Sequence, residues 1–138
     1  MPEMRNVVVD ASVVVSALCQ QDKRSRAAVA RLDAGDVMHA PALLDFEVLH
    51  AVRRFLATDV QMTAERADAT LDVLERLPIQ RVPMHRALAR RAGAHFANLS
   101  AYDASYVALA ESIDATLLTA DLRVANAPGI ACAIEVIG

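Results

Sequence analysis

Asn6-Val7-Val8-Val9-Asp10-Ala11-Ser12 decides the fold, because an apolar run too short for a helix stops abruptly on a carboxylate. Such a run reads as a strand buried on both faces. Residues 11–19 then read as a helix despite the β-branched series Val13-Val14-Val15. The same punctuation recurs late in the chain, where Thr116-Leu117-Leu118-Thr119 leads through Ala120 to Asp121. An ionised carboxylate taken out of water costs several kcal/mol or more unless it is paired, protonated or bound to a cation.

Outward from these two acids, strand and helix signals alternate. Residues 22–34 form a predicted helix with Asp22 as N-cap and Gly35 available for a left-handed stop. Residues 37–40 read as strand, Pro41 opens a helix over 42–57, and Thr63 opens another that runs to about residue 77 before Pro78. Strand 79–82, helix 84–96, a helix over 101–113 capped by Ser100, strand 115–119, a short helix 121–126 and a last strand region 130–137 complete the series. No repeat or linker interrupts it. Alternation of this kind predicts an α/β domain with a central, mainly parallel sheet covered on both faces, and ligands in such sheets gather at the carboxyl ends of the strands.

Composition sets further bounds. A chain of 138 residues fits one domain spanning residues 1–138. The apolar fraction is 55% with only 4% aromatic, so the expected core is aliphatic. No stretch is long and apolar enough to span a bilayer, and the start, Met1-Pro2-Glu3-Met4-Arg5, lacks a signal-peptide pattern; a soluble, cytoplasmic protein is expected. Cys19 and Cys132 lie in no metal or redox motif and read as small hydrophobes. A net charge of -3 argues against broad, nonspecific nucleic-acid binding without excluding an RNA substrate, because Arg groups such as Arg53-Arg54 can still hold phosphate.

Asp103 and Glu47 join the two strand-end acids as candidates. On a helix over 101–113, Asp103 shares an arc with Tyr106, Val107, Ala110 and Ile113, and it also suits a variant capping box with Ser100. Glu47 falls at the margin of an apolar arc containing Leu44, Val48 and Ala51, where a boundary role beside Arg54 or solvent is the local alternative. Asp10 and Asp121 can likewise be plain N-caps. Their joint placement points further: strand-end acids beside the hydroxyls of Ser12 and Thr119, approached by helix acids, make an all-oxygen pocket. Close carboxylates repel one another, and divalent cations relieve that repulsion. Hard oxygen donors favour Mg²⁺ or Mn²⁺. Tyr102, at a helix start, reads as a packing residue in preference to a base-stacking one, and the four histidines read as ordinary polar residues.

The motifs Val7-Val8-Val9-Asp10-Ala11-Ser12, Ala40-Pro41-Ala42-Leu43-Leu44-Asp45-Phe46-Glu47-Val48, Ser100-Ala101-Tyr102-Asp103-Ala104-Ser105-Tyr106-Val107-Ala108-Leu109-Ala110 and Leu117-Leu118-Thr119-Ala120-Asp121-Leu122-Arg123-Val124-Ala125, in this order, resemble those of PIN-domain proteins. In particular they resemble VapC-type ribonuclease toxins of bacterial toxin-antitoxin pairs. The resemblance implies a three-layer α/β/α PIN fold and Mg²⁺-dependent endonucleolytic cleavage of RNA. It also implies an acidic quartet of Asp10, Glu47, Asp103 and Asp121, with Asp10 and Asp103 as direct metal ligands and Ser12 and Thr119 in support. Arg123 is the first candidate for RNA contact. A VapB-type antitoxin and a homodimer, for which helices 42–57 and 63–77 offer apolar faces, are the implied partners. His50 departs from the family pattern, which often has Asn there. Two other readings compete: a PIN-like module that binds RNA or protein without cutting, and a receiver-like or phosphatase-like domain. The second lacks its expected late-strand lysine, since Lys23 is the only lysine.

Overall fold

The computed structural model describes residues 4–138, so the chain start Met1-Pro2-Glu3 read from sequence lies outside the described residues. Strand β1 (Asn6–Val9) is followed by helices α1 (Ala11–Cys19) and α2 (Lys23–Leu32), strand β2 (Val37–Pro41), helices α3 (Leu44–Thr58) and α4 (Ala64–Arg76), and strand β3 (Ile79–Val82). Helices α5 (Arg86–Gly93) and α6 (Ala101–Ser112), strand β4 (Thr116–Thr119), the short helix α7 (Leu122–Ala125) and strand β5 (Ile134–Val136) follow. The strands form one five-stranded sheet in the order β3-β2-β1-β4-β5, with every pairing parallel. The α/β class and the parallel sheet expected from sequence are therefore found.

Topology explains where a ligand site can form. From β1 the chain steps outward through β2 to β3, then reverses and re-enters on the opposite side of β1 as β4. Right-handed crossovers place helices from the two directions on opposite faces. Accordingly α1 packs against α2, α3 and α4, while α6 packs against α5 and lies over β1, β2 and β4. The reversal leaves a crevice at the carboxyl ends of the adjacent strands β1 and β4, which is where open α/β sheets bind ligands. Asp10 immediately follows β1, and Thr119 closes β4.

Val7, Val8 and Val9 are fully buried, as are Leu117 and Leu118 beside them. Full burial of each such side chain contributes about 1.5–3 kcal/mol, so these two strands lie at the centre of the core. Register is fixed by Val8 opposite Leu117 on one side and His39 on the other. On α6, residues 104 to 110 are all buried, as expected for a helix enclosed on several sides. Its small residues Ala104, Ala108 and Ala110 let the backbone approach its neighbours closely.

Helix α5 and strand β5 are shorter at both ends than the sequence predicts. The helix expected over 84–96 begins at Arg86, because His85 Nδ1 accepts the Leu88 N–H and caps it, and it gives way to turns after Gly93. The strand region 130–137 contracts to Ile134–Val136, which stand in register with Leu117–Thr119 of β4, while Ala133 O and Ile137 N–H add flanking bonds to Leu117 and Thr119. The predicted cap Asp22 does accept the Ser25 N–H, and Gly35 adopts φ +90 in the turn before β2.

Candidate active site

The β1–α1 and β4–α7 junctions are tied together around Asp10. Ser12 Oγ donates to Asp10 Oδ2 at 2.6 Å and Thr119 Oγ1 donates to the same oxygen at 2.8 Å. Each hydroxyl also accepts from the neighbouring turn: Ala120 N–H bonds Ser12 Oγ at 2.9 Å, and Asp121 N–H bonds Thr119 Oγ1 at 3.0 Å. Both protons delivered to Asp10 are thus sharpened by backbone N–H groups behind them. Among the described residues no protein donor reaches Asp10 Oδ1, which stays free for another partner.

Glu47 enters from the first turn of α3. Its Oε1 accepts the phenol of the fully buried Tyr106 at 2.7 Å. The local alternative read from sequence, pairing with Arg54, is not what forms. Tyr106 carries a role that sequence reading assigned only to packing, because its position in an apolar arc gives no sign of a polar contact 59 residues away. Burial first, then the Glu47 charge and hydrogen bond, push the Tyr106 phenol far above its ordinary range, so it remains a donor at any working pH.

Asp103 sits half-buried in the first turn of α6. Half of the predicted capping box forms, with Ser100 Oγ accepting the Asp103 N–H, but no protein donor among the described residues holds the Asp103 carboxylate. Asp121 behaves differently. It caps α7 through its own backbone neighbour Arg123 N–H, and the Arg123 side chain grips both of its oxygens, at 3.3 Å and 2.8 Å. Arg123, the sequence candidate for RNA contact, is therefore engaged with a site acid while its side chain remains largely exposed.

Neighbouring charges act on Asp10 and Glu47. Burial raises the Asp10 pKa most; hydrogen bonds from Ser12 and Thr119 oppose it, and the charges of Asp103 and Asp121 add to the rise. Burial likewise raises Glu47 against the Tyr106 hydrogen bond, with Asp10 and Asp103 contributing further. Asp121 is lowered, first by the Arg123 hydrogen bond, which outweighs its burial. Among the described residues, no three His, Cys, Asp or Glu side chains close into a ligand cage as placed. The donor chemistry nevertheless fits a hard cation that keeps several waters and takes only one or two carboxylates: Asp10 offers a free oxygen, Asp103 is without a protein donor, and their mutual repulsion favours a positive charge between them.

Two grooves meet at this point. One, of about 860 Å³, is lined by Ser12, Glu47, Phe46, His50, Arg54 and Tyr102, among others. The second shares Ser12 and brings Arg24, Asp121 and Arg123. Tyr102 is 65% exposed, which corrects the sequence reading of it as a packing residue. Histidines outside the groove have structural partners, His95 with Glu111 at 2.8 Å and His39 with Asn6 at 3.1 Å. Burial raises both cysteine thiols, Cys132 to about 11, which favours their protonated form.

A PIN-domain profile matches residues 7–130. Ribonuclease VapC1 of Mycobacterium tuberculosis is 42% identical over 135 residues, covering 97% of this chain and 99% of that protein. Ribonuclease VapC9 of the same organism is 39% identical over 131 residues, covering 95% and 98%. Among solved structures, VapBC2 from Rickettsia felis bound to a promoter DNA fragment superposes with a TM-score of 0.69 at 12% identity, covering 96% of this chain and 99% of that one, a likeness of fold. The chain belongs to the PIN-domain family and, within it, to the VapC-type ribonuclease toxins.

Proposed function

We propose that this VapC-type ribonuclease cuts single phosphodiester bonds within RNA in a Mg²⁺-dependent reaction at the pocket formed by Asp10, Glu47, Asp103 and Asp121. The observation that carries the reading is the clamp of Ser12 and Thr119 on Asp10 Oδ2 at the strand-reversal crevice, which leaves Asp10 Oδ1 without a protein donor among the described residues. Asp10 and Asp103 would hold the ion, Mg²⁺ or Mn²⁺, because each presents oxygen unclaimed by protein donors. Such an ion, when bound, activates a water and offsets charge developing on the phosphate. Ser12 and Thr119 fix the Asp10 carboxylate in orientation. Glu47, with one oxygen held by Tyr106 and its pKa raised, is suited to orient the attacking water and take its proton. Asp121, lowered by Arg123, is the weaker base and serves as an outer acid of the quartet. Arg123 contributes a guanidinium to the RNA backbone.

The test is cleavage of a total RNA pool by the purified chain. Cutting is expected with Mg²⁺ and is expected to stop in excess chelator and in Asp10→Ala and Asp103→Ala. Undiminished cleavage in chelator or in either variant rejects the reading.

The fold neighbour from Rickettsia felis is described as a VapBC2 complex on promoter DNA. By that analogy we infer that a VapB-type antitoxin restrains this toxin. We infer also a homodimer, for which α3 exposes Leu49 and Leu56 and the following turn exposes Val60. No helix among the described residues is long and apolar enough to cross a membrane, in keeping with action on RNA in the cytoplasm. Residues 1–138 act as one domain in this proposal.

A further inference from the structure

Aromatic residues make up only 4% of the chain, and the fold leaves two of them uncovered beside the acids. Phe46 is 75% exposed and Tyr102 is 65% exposed, and both line the groove that contains Ser12 and Glu47. Each ring immediately precedes a site carboxylate in sequence, Phe46 before Glu47 on α3 and Tyr102 before Asp103 on α6. Successive helical residues diverge by about 100°, so a helix that aims its acid into the crevice sets the preceding ring on the rim. Exposed rings with no packing partner at the mouth of a nuclease site are the platforms on which unpaired bases stack.

Charge along the groove agrees with that occupant. Arg54 lines the same groove, in a chain whose net charge is -3. Ser12 lines both grooves, and the second brings Arg24 and Arg123. A polymer lying in both grooves therefore passes Ser12, which is hydrogen-bonded to Asp10, with arginine side chains on either side of it and aromatic rings on one side only.

We propose that Phe46 and Tyr102 form a base-stacking wall that binds the nucleotides of a single-stranded RNA on one side of the cleaved phosphodiester. This rests on the ribonuclease reading above. The wall selects for unpaired RNA, because a base held in a duplex cannot present its face to the rings.

The experiment uses the full chain and an RNA oligonucleotide spanning a cut mapped with the wild-type protein, with 2-aminopurine placed on one side of the cut or the other. Binding is followed in chelator so that nothing is cleaved. Fluorescence quenching is expected on wild-type binding for the probe on one side of the cut only. Tyr102→Ala and Phe46→Ala are each expected to remove quenching and weaken binding roughly 5- to 150-fold, the usual range for one stacked base, whereas Tyr102→Phe keeps both. Arg54→Ala is expected to reduce the salt dependence of binding and leave the quench intact. Wild-type quenching and affinity in both alanine variants overturn the proposal while leaving the nuclease reading intact. Loss of antitoxin binding or a changed oligomeric state in those variants, with RNA binding unaltered, also overturns it and assigns the rings to a protein contact. A wild-type chain that neither binds nor cuts RNA removes the nuclease reading and this proposal together.

Discussion

Thr119 Oγ1 donates a 2.8 Å hydrogen bond to Asp10 Oδ2 across 109 residues of sequence, and the same hydroxyl accepts the Asp121 N–H. One side chain thus holds a buried carboxylate and the turn that carries a second acid. Thr119→Val keeps the volume and removes both contacts. A hydrogen bond to a charged group contributes about 1.5–3 kcal/mol, so a loss of stability in that range is expected in urea unfolding. Asp10, deprived of a donor, also moves further above its ordinary pKa, and Mg²⁺ affinity measured calorimetrically falls with it.

Asp10 itself is held at a cost to the metal-free fold. Its folded pKa lies above its unfolded value of 3.8, so its contribution is fully favourable below that value and is lost as pH rises through the raised folded pKa. Asp10→Asn retains an acceptor for Ser12 and Thr119 and removes the charge. Metal-free Asp10→Asn is expected to be more stable than the wild type at neutral pH, with a flatter stability profile above pH 4. Saturating Mg²⁺ should reverse the ranking, since a ligand at about 100 times its Kd adds about 2.7 kcal/mol to the state that binds it. Thermal melts with and without Mg²⁺ at several pH values check both halves.

On the proposed mechanism, Tyr106 bears on the reaction through its hydrogen bond to Glu47. Tyr106→Phe removes the 2.7 Å bond to Glu47 Oε1 and leaves an aromatic ring in the fully buried position. Losing a charge-assisted hydrogen bond of about 1.5–3 kcal/mol corresponds to a fall of roughly 10- to 100-fold in kcat, with KM little changed. In a Glu47→Gln background the same substitution should add almost nothing. Independent, multiplicative losses in the double variant sink this role for Tyr106, and single-turnover kinetics of the four proteins provide the comparison.

Much of this arrangement was legible in the chain because strand-end acids leave a local mark. An apolar run that halts at Asp10, and another that halts just before Asp121, give away both the strands and the crevice between them. Sheet order was not legible: that β1 lies between β2 and β4 depends on pairing Val8 with residues as distant as Leu117, and nothing local encodes it. Tyr106 was hidden for the opposite reason, since its apolar surroundings masked its one polar contact. Tyr102 misled because a helix start usually packs its ring, whereas the first turn of α6 leaves this one uncovered.

Away from the acids, Glu111 fastens α6 to the approach to β5. Its Oε1 lies 2.8 Å from His95 Nε2 and its Oε2 accepts the Ala131 N–H at 2.8 Å, with the side chain only 5% exposed. Burial raises the Glu111 pKa, but the hydrogen bonds from His95 and Ala131 and the charges of His95 and Arg91 outweigh it, leaving the carboxyl below its ordinary 4.5. A lowered carboxyl stabilises the fold above its unfolded pKa and ceases to do so as pH falls through the folded value. The pair should therefore contribute at neutral pH and be lost below about pH 4.5. Glu111→Ala leaves His95 buried without its partner and the Ala131 N–H without its acceptor, and each buried group left unsatisfied costs about 1–3 kcal/mol. Urea unfolding at pH 7 is expected to show that loss, and the difference from wild type should shrink toward pH 3. Because Glu111 lies on the opposite end of α6 from Asp103, RNA cleavage per folded molecule should stay near the wild-type rate; a large fall in that rate would show that the latch also sets the placement of Asp103.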